Sequence, residues 1–397
     1  MKNFLARGVS RSVRGGRPGG LAPDAARARK PSRHLVVALA AMTVVLFAAE
    51  AWASGTWTKR VTSGPAPTER STPAVAAIGD AVYLFGGMKD DFSTFENAFY
   101  NDLYRFDTAL DSWELLDPAG DLPPPRVFAG AAADECNGVM LVFGGATYSP
   151  DFSDFVAYDD LWAYDADADA WIEIHPENAG PVGRSRPNVW FAGGKLYVFG
   201  GVTSAFAFMN DLWAYDLGSN RWKELVPAGA PGSPRGRHEA MAGAAPIRGK
   251  LTLYGGETMG AAGFEMLDDT WEFDLRTRRW TEVTPRARRD ITPPRNYGAA
   301  AVVGWDLYLQ GGDVSGGSSG CGAPFEQNPV EELWRYSAIQ RKWTKLSPGG
   351  DPLVRLKRHV AAEVNGTMYL FSGWDFACDG GVGPGQLWNR DVYSFDP

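Results

Sequence analysis

Six arginines recur at near-regular intervals along this 397-residue chain: Arg70, Arg126, Arg184, Arg237, Arg295 and Arg358. Each stands close to the start of a run of small and apolar residues that reads as a β-strand. A guanidinium presents a planar fork of N–H donors, so several converging on one point would clamp a carboxylate or a phosphate. The structural alternative is that the same donors go to neighbouring carbonyls. His238 and His359 each follow one of these arginines directly, but in segments that are not neighbours, so they do not read as a metal pair.

A second chemistry is aromatic. The stretches 88–100, 146–158, 202–209, 257–267, 313–330 and 374–388 hold 10 of the 19 Phe that lie beyond residue 53. Among them are Phe92, Phe95, Phe152, Phe155, Phe206 and Phe208, with Asp90, Asp91, Asp151 and Asp154 interspersed. Exposed aromatic patches mark interaction surfaces, and rings mixed with carboxylates suit a sugar or a basic partner segment better than an anion. The alternative is that these loops bury their rings against one another.

Both sets belong to a repeat. An apolar strand ending in Gly-Gly occurs at Gly86-Gly87, Gly144-Gly145, Gly200-Gly201, Gly255-Gly256 and Gly311-Gly312, with Ser372-Gly373 as a variant. Each is followed by a segment such as NDLYRFD (101–107), DDLWAYD (159–165) or RDVYSFD (390–396), and five units continue to a Trp: Trp113, Trp171, Trp222, Trp280 and Trp343. The runs before the glycines are β-favouring and too short for helices. Large, flat Trp side chains supply the face that one sheet lays on the next. A period between 50 and 60 residues with these signatures resembles the kelch repeat, in which each unit is one four-stranded blade of a β-propeller.

The resemblance implies an all-β, six-bladed propeller over residues 54–397. The sixth unit stops at Asp396-Pro397 without its Trp strand, whereas Thr56-Trp57-Thr58-Lys59 precedes the first unit with no blade of its own. The expectation is that this strand completes blade six and removes the open edge. It also implies that the phenylalanine loops share one face with the arginines, near a central channel. Cys321 and Cys378 then fall in equivalent loops of blades five and six, where a disulfide is expected, and Cys136 is left free.

The resemblance extends to three kinds of catalytic kelch protein. A copper oxidase of the galactose oxidase kind needs a histidine cluster that His175, His238 and His359 do not supply. Nitrile-specifier propellers carry an iron-associated E-x3-D-x3-H pattern. Glu265 and Asp269 match it, but Phe273 stands where the imidazole is required. Kelch sugar epimerases are similar only in size and export. No cofactor, metal or catalytic residue is assigned. An enzyme on small sugars or acids working at an arginine-lined channel stays as the second reading.

The amino terminus reads as an export signal. Nine Lys or Arg precede or flank a 15-residue apolar run, Leu35–Ala49, and Ala51-Trp52-Ala53 is a small-x-small cleavage site. The run is shorter than the roughly 20 residues of a spanning helix, which favours cleavage after Ala53 over a retained anchor. The remaining body carries 30 basic and 45 acidic side chains, a net of −15, which disfavours nucleic acid as a partner. The reading is therefore an extracytoplasmic monomer that binds a protein or carbohydrate through its loop face, with no membrane contact once the signal is removed.

Overall fold

The computed structural model describes residues 55–91, 97–149, 154–287 and 290–397. The segment read as an export signal, 1–53, lies outside them, as do Phe92, Phe95 and Phe152. The described residues are all-β, and their main strands fall into six sheets.

The first sheet is Ala74–Ile78, Ala81–Asp90, Asn97–Asp107 and Ser112–Leu116, in that order from the axis outward. The second, third and fifth repeat this antiparallel meander, opening on Gly130–Asp134, Asn188–Ala192 and Ala299–Val303. The fourth has three strands, Lys250–Tyr254, Thr270–Asp274 and Arg279–Glu282, with Met241 bridged to Tyr254 in the innermost place. Innermost strands such as AVAAI, GAAAD and AAAVV are rich in alanine because they crowd around a common axis and leave no room for longer side chains.

Ring closure is visible in two ways. Thr56–Lys59 pairs antiparallel with Tyr393–Asp396, placing Trp57 opposite Phe395 with ring centroids 5.0 Å apart. A backbone circuit also links the sheets. The N–H of the second glycine of each pair donates to a carbonyl of the next unit: Gly87 to Arg126 (2.9 Å), Gly145 to Arg184 (3.0 Å) and Gly201 to Arg237 (2.8 Å). Gly256 to Arg295 (3.0 Å), Gly312 to Leu356 (2.8 Å) and Gly373 back to Arg70 (2.9 Å) complete the circle. The approach requires glycine: Gly86 and Gly87 sit at φ 67° and 96°, and a Cβ on Gly86 would lie 2.8 Å from the Arg126 carbonyl oxygen.

The tryptophans pack between sheets. Trp171 meets Phe85 (4.9 Å between centroids), Trp222 meets Phe143 (5.4 Å), Trp280 meets Phe199 (4.9 Å) and Trp343 meets Tyr254 (4.8 Å), each pair joining one unit to the unit before it. Tilted and edge-on pairs at these separations add to the area they bury.

Candidate functional site

Five of the repeated arginines are internal clamps and do not line the channel. Arg70, Arg126, Arg184, Arg237 and Arg295 are at most 1% exposed. Each donates Nη1 to the carbonyl of the first glycine of its own pair, at 2.9 to 3.0 Å. Each also grips the carboxylate heading the third strand: Asp102, Asp160, Asp211, Asp269 or Glu332. Arg184 is representative, with Nη1 and Nη2 at 2.7 and 2.9 Å from Asp211 and Nε at 3.0 Å from the Val182 carbonyl. All three nitrogens are engaged, so the expected ligand clamp is corrected to an architectural one.

Arg358 is not the sixth clamp: it lies out of register with the other five. The clamps stand 16 or 18 positions before their glycine. In the last unit that position is Leu356, and the carboxylate that would have met an arginine, Asp391, turns out to Lys59 at 2.7 Å. Arg358 lies two residues further on, where the other units have Thr72, Phe128, Arg186, Glu239 and Tyr297. All six adopt left-handed backbone, with φ between 53° and 60°. Their peptide groups bond around the axis: Thr72 N–H to the Arg358 carbonyl (2.9 Å), Phe128 to Thr72 (3.3 Å), Arg186 to Phe128 (2.8 Å) and Arg358 to Tyr297 (2.8 Å). This ring is the channel mouth. The constancy of the clamp-to-glycine spacing was the signal in the sequence that could have located it.

The mouth is a cavity of about 180 Å³ lined by these six side chains and by His359. Below it a second space of about 330 Å³ continues between the alanine-rich strands toward Asp134, Glu135 and Cys136. Arg186 places Nε 3.1 Å from Glu239 and its guanidinium 4.0 Å over the Phe128 ring. Arg358 donates to Asp90 at 2.6 Å and stands 5.0 Å over Tyr297. Both arginines line the cavity while stacked on a ring and set beside a carboxylate.

A buried polar layer supports the ring. Lys357 bonds the Asp313 carboxylate and donates to Gln327 at 2.6 Å. Glu257 accepts from Asn296 Nδ2 at 3.1 Å and lies 3.4 Å from His238 Nε2. Burial raises the Glu239 carboxyl to about 7 despite Arg186, and lowers Lys357 to about 8. Burial, aided by Arg186, keeps His238 neutral. Arg358 Nε, Asp90 Oδ1, Asn296 Oδ1 and His238 Nδ1 are buried without a hydrogen-bond partner, which leaves polar capacity at the mouth.

The aromatic loops divide between the two outcomes expected of them. Phe155 is buried, against Tyr148 at 5.4 Å and Phe206 at 5.0 Å. Phe208 stacks on His238 at 5.0 Å, and Phe264 follows it at 6.2 Å. Phe206 and Phe264 are each 63% exposed, beside exposed Val156 and Met259. Rings therefore lead from an exposed apolar rim over units two to four down to the mouth. Cys321 and Cys378 are joined in a disulfide with Cα atoms 5.9 Å apart, and Cys136 is free and exposed. Of the iron-pattern residues, Asp269 is held by Arg237, Glu265 by Arg235 at 2.9 Å, and Phe273 is wholly buried. Among the described residues no three His, Cys, Asp or Glu side chains are grouped to hold a metal ion.

Comparison with known proteins gives the same architecture. Host cell factor 2 of Homo sapiens is 27% identical over 80% of this chain, which spans 41% of that protein's length. The N-(sulfonatooxy)prop-2-enimidothioate sulfolyase of Thlaspi arvense is 29% identical over 66% of this chain and 75% of its own. Kelch domain-containing protein 10 of Xenopus tropicalis is 28% identical over 66% of this chain and 61% of its own. The family model described as the KLHDC2/KLHL20/DRC7 Kelch-repeats domain matches residues 74–312, and the chain belongs to the kelch-repeat family.

Proposed function

We propose that this chain is a protein-binding propeller, acting as a monomer outside the cytoplasm, that receives a partner segment across its aromatic loop face with one side chain entering the channel mouth. The observation that carries this reading is the continuity between the exposed rings of Phe206 and Phe264 and the Arg186–Phe128–Tyr297–Arg358 mouth. Interfaces concentrate their affinity in aromatic and arginine residues at a desolvated centre, and this face has both. Kelch domain-containing relatives support the binding class. The apolar run before Ala53 and the Cys321–Cys378 disulfide support export.

A random peptide library selected on the wild-type protein tests it. Enriched peptides should bind at least about tenfold more weakly to Arg186→Met and to Phe206→Ser. Equal binding to both variants, or enrichment only on a glycan array, would remove the reading.

A second reading, an enzyme on a small sugar or acid, has one observation in its favour: a carboxyl raised to about 7, Glu239, beside two guanidinium groups. Anomer exchange of uronic acids followed by NMR should then be accelerated by wild type and not by Glu239→Gln.

A further inference from the structure

The flank of the propeller between units three and four carries an opening. Residues facing each other across the second, third and fourth strands form a row on each sheet. In the first unit the row is Tyr83, Arg105 and Glu114, and in the fifth Tyr308, Arg335 and Thr344. Each arginine hydrogen-bonds the tyrosine beside it. In the third unit the row is Tyr197, Ala214 and Lys223. The arginine is not general, since the second unit has Ala163 at this place and the sixth has Ser394. In the third unit Ala214 lines, with Tyr197, a cleft of about 560 Å³, within the size range of ligand sites.

The cleft has a distinct chemistry. Its wall is apolar: Tyr197 and Ala214, with Leu225 from the outer strand and Leu275 from the fourth unit. Four cations border it. Lys195 is paired with Asp216 and Arg221 with Glu177, whereas Lys223 and Arg278 have no ion-pair partner among the described residues. A body with a net charge of −15 has few such places, so two such cations beside Tyr197 and two leucines form a localised positive field.

We propose that this lateral cleft is a second docking site, for an acidic peptide segment that inserts one apolar or aromatic side chain. The apolar wall takes the side chain beside Ala214, and Lys223 and Arg278 pair with flanking carboxylates. Charge complementarity identifies the occupant, and the loop-face reading is not required for it.

The probe is a fluorescein-labelled peptide, Glu-Glu-Phe-Glu-Glu, capped at its carboxyl end and followed by anisotropy at low salt. Saturable binding below about 1 mM is expected. Ala214→Arg places in the cleft the arginine found in units one and five and should weaken binding at least about tenfold. Lys223→Glu, on the exposed outer strand, should do the same and serves if Ala214→Arg does not fold. Arg186→Met at the mouth should leave this binding intact, which separates the two sites. Absence of saturable binding, equal binding to Lys223→Glu, or equal competition by free glutamate would overturn the proposal.

Discussion

Arg358 and Asp90 lie 268 positions apart in the chain and 2.6 Å apart in the fold, both buried. The pair ties the last unit's channel residue to the first unit's long hairpin. Breaking a buried ion pair from one side leaves an uncompensated charge, typically at a cost of about 3–5 kcal/mol. Asp90→Ala should lose stability of that order in urea unfolding. An unchanged midpoint would mean that water reaches Arg358 freely.

Arg184 and Arg186 are two residues apart and should behave as opposites. Arg184→Met removes both bonds to Asp211 and the bond to the Gly200 carbonyl, and should cost about 3–5 kcal/mol. Arg186→Met opens the mouth and leaves Glu239, whose carboxyl already rises to about 7, able to take up a proton, so it should cost less than Arg184→Met. Denaturant titration of the two variants reads the difference directly.

Closure rests on Trp57, which is 4% exposed. Trp57→Ala removes an aromatic anchor from the seam between first and last strands and should cost about 3–5 kcal/mol. The m-value should stay constant if the ring opens only on global unfolding.

Stability should respond to Glu239. Its carboxyl rises from 4.5 in the unfolded chain to about 7 in the fold, so between those values the folded protein holds the extra proton. Stability therefore declines as pH rises from about 4.5 to 7, by up to about 3 kcal/mol, under the fields of Arg186, Arg358, Lys357 and Glu257. Glu239→Gln should flatten that slope in a series of melting curves. A slope identical to wild type would show that Glu239 does not titrate in this window.

Thiol titration of the denatured, unreduced protein should find one reactive group, Cys136. Three would exclude the Cys321–Cys378 bridge. Its removal by Cys378→Ser should cost about 2–4 kcal/mol at most, because it spans only two neighbouring hairpins.

The number of repeats and the strand pattern were legible in the residues because they are local: turn glycines, β-favouring runs and a period. The closure by Trp57 followed from counting strands, one missing at one end and one left over at the other. Even the structural alternative for the arginines was readable, since a side chain repeated in five units must suit each of them. What the residues in order could not convey was which donors remain free once all units surround one axis. Arg184 and Arg186 are the same chemical group two positions apart. Tertiary packing directs one to Asp211 inside its blade, and a left-handed turn aims the other at the channel. The cleft at Ala214 belongs to the same class, because a small residue becomes an opening only when the neighbouring sheet stands across from it. Local rules determined the scaffold, and the convergence of six copies on an axis decided where chemistry is exposed.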